Sequence, residues 1–184
     1  MAERKYSLLK LVVTGTIVIV AIFLIFPLFL SNNITINASI EIQAPAKVIY
    51  SEINNIHKQK AWDPFPNDSI DTDSIPDPAE GIGAQRIWIK GDTILRRLVI
   101  KKSEPYRYVE AVLLFGEKQG ASENWSLSGD SVQTNVNWDF HVQDLSYPFG
   151  RWLGIIMQNS MQPALENGLK RLRKISEYQT NKSN

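Results

Sequence analysis

Two glutamates, Glu123 and Glu110, are the residues whose type best suits acid–base chemistry in this chain. Such chemistry needs a carboxyl aimed into a cavity and away from bulk water, where its pKa can shift. Glu123 stands two residues before Trp125, and strand alternation puts both on one face. By the same count Glu110 shares a face with Tyr106, Tyr108, Val112 and Leu114. Arg86 offers a cationic partner. With Trp88 and Lys90 it forms one side of a strand whose other side is Ile87 and Ile89. The pattern leaves open which side faces inward, and leaves the directions of Arg96 and Arg97 open too. Asp139 and His141 are spaced like a base and its orienter. Their face also carries Gln133, Asn135, Asn137 and Gln143, so it reads as solvated.

Other chemistries are narrowed by composition. The chain has no cysteine, which excludes disulfides, thiolate nucleophiles and cysteine metal sites. Its two histidines, His57 and His141, are too few for a multi-histidine metal site, so neither metal nor cofactor is expected. His57 falls on a helix surface rich in Lys and Gln and reads as solvated. Asp68, Asp71, Asp73 and Asp77 lack the glycine and terminal glutamate of a calcium loop and read as a solvated acidic loop. No G-x-S-x-G supports a serine hydrolase triad. Net charge is +1. Met1–Lys10 contributes +2 (Arg4, Lys5 and Lys10 against Glu3), leaving 1 − 2 = −1 for the remainder. A near-neutral body argues against a nucleic-acid surface, which would show a basic stripe.

The elements that would position these groups begin with a membrane segment. Leu11–Leu30 carries no charge, and roughly 20 apolar residues span a hydrocarbon core. Arg4, Lys5 and Lys10 precede it, and no positive residue follows until Lys47. The positive-inside rule then expects a cytoplasmic N-terminus and the rest of the chain on the outer side. Phe29-Leu30-Ser31-Asn32-Asn33 lacks a small-x-small cleavage site, so an uncleaved anchor is expected. The expected division is residues 1–30 as tail and anchor, and residues 31–184 as one domain.

The domain reads as strands followed by one long helix. Ser31–Ile42 alternates, with Ile34, Ile36, Ala38, Ile40 and Ile42 on one side. Ala44-Pro45 starts a helix bearing Ile49, Ile53 and Ile56, and a second short helix covers Asn55 to Ala61. An acidic loop, Asn67–Glu80, holds a short edge strand near Ser69–Asp73. Then come Ala84–Lys90, Thr93–Lys102, Tyr106–Phe115, Gln119–Leu127 and Ser131–Gln143, joined by turn residues such as Gly91-Asp92 and Gly116-Glu117-Lys118. In the last strand Val132, Thr134, Val136, Trp138, Phe140 and Val142 share the core face. The apolar segment Tyr147–Met157 leads into a helix with Met161, Leu165, Leu169, Leu172 and Ile175 on one face. Its last turns are crowded by Lys170, Arg171, Arg173 and Lys174, which suit the helix's negative end. Pro163 marks that helix's first turn or a kink.

This order resembles the helix-grip fold of the START/SRPBCC superfamily, including the polyketide cyclase/dehydrase-like proteins. The resemblance rests on Ile42-Gln43-Ala44-Pro45 with Ile49-Tyr50, Trp62-Asp63-Pro64-Phe65, Gly81-Ile82-Gly83-Ala84, Ser103-Glu104-Pro105, and Glu166-Asn167-Gly168-Leu169 with Leu172. It spans residues 34–178 and is closest to a bacterial subgroup with one N-terminal membrane helix. It implies an α+β fold: a curved antiparallel sheet of six or seven strands around a long C-terminal helix, with a ligand cavity between. Arg96 and Arg97 depart from the small residues that the subgroup carries before Ser-Glu-Pro. The subgroup shares no catalytic set, so no residue inherits a role.

Three functions follow as expectations. The first is a membrane-anchored domain binding an apolar or amphipathic small molecule, lipids among the candidates. Its cavity would be lined by Trp125, Trp138, Phe140, Phe149, Trp152, Met161 and Leu165. The second is a cyclase or hydrolase using Glu123 or Glu110. The third is a module for an unknown protein partner, its cavity filled by side chains.

Overall fold

The computed structural model describes residues 2–65, 71–116 and 118–183. Helix α1 (Ala2–Ile25) runs into a 3-10 turn, Phe26–Phe29. Strand β1 (Ile34–Ile42) follows, then α2 (Ala46–Asn54) and α3 (Ile56–Gln59). Strands β2 (Thr72–Ser74), β3 (Gln85–Lys90), β4 (Thr93–Glu104), β5 (Tyr108–Phe115), β6 (Lys118–Gly129) and β7 (Thr134–Val142) come next. Helix α4 (Phe149–Ser183) ends the chain.

The seven strands form one antiparallel sheet in the order β1-β7-β6-β5-β4-β3-β2. With α4 packed on it, this is an α+β fold in the helix-grip arrangement. Alternation explains the sheet: β1 turns Ile36, Ala38 and Ile42 inward, and β7 answers with Thr134, Val136, Trp138, Phe140 and Val142. Their register runs unbroken from Ile34↔Val142 to Ile42↔Thr134. Bulges interrupt β3–β4, β4–β5 and β5–β6, the local device that bends a sheet. Asn55 caps α3, its side-chain oxygen accepting from the N–H groups of His57 and Lys58.

Helix α4 is longer than periodicity suggested, because its apolar stripe begins well before Met161. Pro163 therefore lies inside the helix rather than in its first turn. Leu165, Leu169 and Leu172 are buried against the sheet. Each contributes about 1.5–3 kcal/mol by leaving water. Gly168 allows the close approach: a Cβ there would stand 2.9 Å from Trp138 and 3.1 Å from Pro64.

Three local expectations are corrected. Val132 leaves the core row and is 66% exposed. The Asp130 carboxylate accepts the N–H groups of Val132 and Gln133, closing a turn, so the strand starts at Thr134. Tyr106 adopts φ 63° in the turn after β4, so β5 begins only at Tyr108. The edge strand is Thr72–Ser74, one residue past the expected end; Asp68, Ser69 and Glu117 lie outside the described residues.

At the N-terminus, Leu9–Phe29 is a helical stretch of 21 residues, long and apolar enough to cross a membrane. At 1.5 Å per residue it is about 31 Å long, matching a hydrocarbon core of about 30 Å.

Candidate functional site

The register settles the directions that the pattern left open. Leu98 pairs with both Arg86 and Leu113, and Trp88 pairs with Arg96. Leu113 in turn pairs with Ala121, and Ala111 with Glu123. Arg86, Trp88, Arg96, Leu98, Leu113, Glu123 and Trp125 therefore stand on the concave face. Arg97, paired with Leu114, and Glu110, paired with Asn124, stand on the convex one.

The concave face and α4 enclose a cavity of about 260 Å3. Its sheet wall is Trp88, Leu98, Leu113, Phe115, Trp125, Trp138 and Phe140. Met157 and Met161 come from α4, and Gln59, Trp62, Asp63 and Phe65 from the α3 side. A wider hollow of about 710 Å3 on the outside of α4, between Pro64 and Lys174, is an open basic groove without aromatic walls.

The segment Trp62-Asp63-Pro64-Phe65 closes one side of the cavity. Trp62 meets Trp125 at 6.3 Å and Trp138 at 5.6 Å, both edge-to-face. Phe65 packs on Phe140 at 6.0 Å. The turn holds because the Asp63 carboxylate accepts the Phe65 N–H at 2.9 Å. Its other oxygen accepts from Arg86 Nη1 at 2.7 Å.

Arg86 is the hub of a charged cluster under the aromatic floor. It donates from Nε and Nη2 to the two Asp73 oxygens, at 2.8 and 2.9 Å. Lys60 also reaches Asp73, at 2.9 Å. Burial pushes the Asp73 carboxyl up, but the bonds from Arg86 and Lys60 prevail and hold it below the usual carboxylate range. The Trp88 ring takes the Arg86 guanidinium at 4.6 Å and that of Arg96 at 4.3 Å. Burial draws Arg96 below the usual arginine range.

Glu123 is the buried acid of the cavity. Burial above all, then the Asp63 charge, pushes its carboxyl up to about 8. The Trp138 indole N–H leans toward it and tempers the rise, falling short of a full hydrogen bond. Arg96 and Arg86 temper it further. Near neutral pH the carboxyl is therefore mostly protonated and can both donate and accept.

Of the expected cavity residues, the structure brings Trp125, Trp138, Phe140, Met161 and Glu123 together. Three go elsewhere. Leu165 is sealed in the core beyond the cavity. Phe149 and Trp152 turn to the other side of α4 and pack on α1: Phe149 meets Phe23 at 5.1 Å, and Trp152 stacks on Phe26 at 5.1 Å. The helix they belong to starts at Phe149, so the turn that carries them lies beside α1 rather than over the sheet.

Glu110 is also displaced from the cavity, on the convex face, where it accepts from the Tyr108 hydroxyl at 3.2 Å. Burial and this neighbouring carboxylate together push the Tyr108 phenol up to about 12. Glu110→Gln is thus expected to leave ligand binding unchanged and to alter stability by no more than about 0.5 kcal/mol, read by parallel titration and thermal melts. Asp139 and His141 lie on that convex face too, bonded to Asn137 and Thr35 respectively.

Sequence reasoning missed Trp62, Phe65, Leu98, Leu113, Phe115 and Met157 as cavity residues. For Leu98 and Leu113 the usable signal was alternation from Glu123, carried across the register to the next strands.

No protein-family model and no curated protein matches the chain. Solved structures do. The chain is similar to DynU16, a protein in the dynemicin biosynthetic locus, with TM-score 0.54 and 12% identity, covering 79% of this chain and 48% of that one. It therefore spans about half the length of DynU16. A protein from Nitrosospira multiformis matches with TM-score 0.54 and 15% identity, covering 78% of this chain and 96% of that one. The Aha1 dimer from Colwellia psychrerythraea matches with TM-score 0.53 and 17% identity, covering 78% and 96%. At these identities the likeness is one of fold, the helix-grip arrangement. It does not extend to the membrane-anchored subgroup.

Proposed function

We propose that the chain is a membrane-anchored binding domain for a hydrophobic or amphipathic small molecule, held between the sheet and α4. The observation that carries this reading is the cavity: about 260 Å3, aromatic and aliphatic over most of its wall, with Glu123, Arg96 and Asp63 converging on it. Small-molecule sites generally show a largely apolar wall with a few placed polar groups, and run from about 300 to 1,000 Å3. An apolar cavity of about 150 Å3 already admits benzene. The volume therefore suits one or two rings or a short acyl chain rather than a whole diacyl lipid. The polar head would meet Glu123 and Arg96. The Trp125 indole N–H, buried without a hydrogen-bond partner among the described residues, would gain one from a ligand oxygen.

In this reading Leu9–Phe29 spans the cytoplasmic membrane, with the N-terminus in the cytoplasm and residues 31–184 outside. Titrating the purified chain with octanoate and with naphthol, following tryptophan fluorescence, tests the binding. Saturable quenching that disappears in Leu113→Trp, a cavity-filling change, is the expected result. Linear, unsaturable quenching identical in both chains would remove the proposal.

One observation favours a second reading. A protonated carboxyl inside an apolar cavity is also what a general acid requires. In a cyclase or hydrolase Glu123 would hold that role, and Glu123→Gln would abolish turnover while leaving ligand affinity nearly intact.

A further inference from the structure

The first two turns of α4 carry a largely exposed apolar stripe, which the described chain touches only where the Phe149 ring meets Phe23. Phe149, Leu153 and Ile156 recur at i, i+4 and i+7, so they share one face. They are 72%, 50% and 62% exposed. The opposite face of the same turns is packed. A Cβ on Gly154 would stand 2.8 Å from Leu145 and 3.5 Å from Ile34. Met157, four residues after Leu153, flanks the stripe and lines the cavity. The stripe also ends sharply. Continued along the helix, that face reads Ser160, Pro163, Ala164, Asn167, Arg171 and Lys174, with no large apolar side chain. At 1.5 Å per residue the apolar band is about 11 Å long.

This band is continuous with the apolar span. Trp152 stacks on Phe23 at 6.1 Å and donates from Nε1 to the Phe23 carbonyl at 3.1 Å. The Tyr147 hydroxyl donates to the Leu24 carbonyl at 2.6 Å, and Arg151 Nη1 to the Pro27 carbonyl at 2.8 Å. Phe23 and Leu24 lie in the last turn of α1, where carbonyls run short of helical partners, and the Pro27 carbonyl also accepts the Leu30 N–H. The bonds fix α4 beside the end of the span, next to Leu28 and Phe29, which are themselves exposed. A Trp, a Tyr and an Arg gathered at one end of an apolar helix is the composition of a membrane–water boundary.

We propose that the first two turns of α4 are an interfacial helix, with Phe149, Leu153 and Ile156 seated in the leaflet where α1 ends. The partner of this face is bilayer lipid, and seating of this kind reaches about 5–10 Å into the headgroup and acyl boundary. The inference rests on reading α1 as a membrane span. Its consequence is positional: Met157, one residue past the stripe, is a cavity wall. The cavity then lies against the membrane surface, and its ligand is drawn from the leaflet rather than from bulk water.

The absence of cysteine makes the test clean, since a single introduced cysteine carries the only label. An environment-sensitive fluorophore is placed at Ile17→Cys, Leu153→Cys, Ile156→Cys or Lys174→Cys. Each full-length chain is reconstituted into phosphatidylcholine/phosphatidylglycerol vesicles. All four positions are exposed, so the changes leave the fold intact. Spin-labelled lipid is expected to quench labels at 17, 153 and 156 several-fold more than at 174, and aqueous iodide to do the reverse. If 153 and 156 follow 174 while 17 stays in lipid, this inference is overturned and the anchor stands. Shielding of 153 and 156 from both quenchers, lost on diluting the protein in the vesicles, would assign the face to a second copy instead. A label at 17 exposed to iodide overturns the anchor, and this inference with it.

Discussion

Folding stability of the chain falls as pH rises from 4.5 to about 8, and a Glu123→Gln chain does not share the fall. Folded, the Glu123 carboxyl is held up at about 8, by burial first and by Asp63 second. Unfolded, it returns to its ordinary 4.5. Between those values the native chain keeps a proton that the unfolded chain has released. The native state binds more protons there, so stability drops with rising pH. The contribution is fully present below 4.5 and lost as pH climbs through about 8. Each unit between folded and unfolded pKa is worth about 1.4 kcal/mol, which sets a ceiling of about 5 kcal/mol for the fall. Glutamine keeps the shape and has no proton to lose. Its curve stays flat through the window and crosses above wild type at the alkaline end. Urea melts at a series of pH values measure this. A wild-type curve as flat as the variant's would mean that the carboxyl is in water, not in the cavity.

Replacing Arg86 with Met is expected to be the most destabilising single change in the cluster. The Arg86 side chain is 2% exposed and bridges Asp63 and Asp73, each 17% exposed. Removing one partner of a buried ion pair costs about 3–5 kcal/mol, because the remaining charge is left desolvated. Some water reaches both aspartates, so the loss should lie near the lower end, about 3 kcal/mol. Lys60 still reaches Asp73, which leaves Asp63 as the more damaged partner. Asp63→Asn in the Arg86→Met background should therefore recover much of the loss. Chemical denaturation of the two chains decides it: no recovery would mean that Arg86 acts through its packing on Trp88 and not through charge.

Most of the fold was legible because its elements follow simple periods. The β1 and β7 rows alternate cleanly, and their turns carry Gly, Asp and Ser. Helix α4 was legible where its stripe packs on the sheet, from Met161 to Ile175, and illegible before that. There one apolar residue set serves two surfaces: Met157 faces the cavity while Phe149 and Trp152 face α1. Periodicity counts apolar residues and cannot tell which neighbour they meet. The same gap explains the cavity. Trp125, Trp138 and Glu123 were placed inside by alternation within β6 and β7. Arg86, Trp88 and Arg96 needed the cross-strand register, which depends on bulges near Ile89 and Lys101 that leave no local mark. Tyr106 and Val132 misled for another reason. Both are strand-favouring types held in turns, by a positive φ and by the Asp130 carboxylate.

The most direct measurement is native mass spectrometry of residues 31–184, purified and then exposed to a membrane lipid extract. The account expects one bound small apolar or amphipathic molecule per chain, absent from Leu113→Trp, whose larger side chain occupies the cavity. A wild-type domain that stays at its sequence mass throughout, indistinguishable from the filled variant, would contradict it.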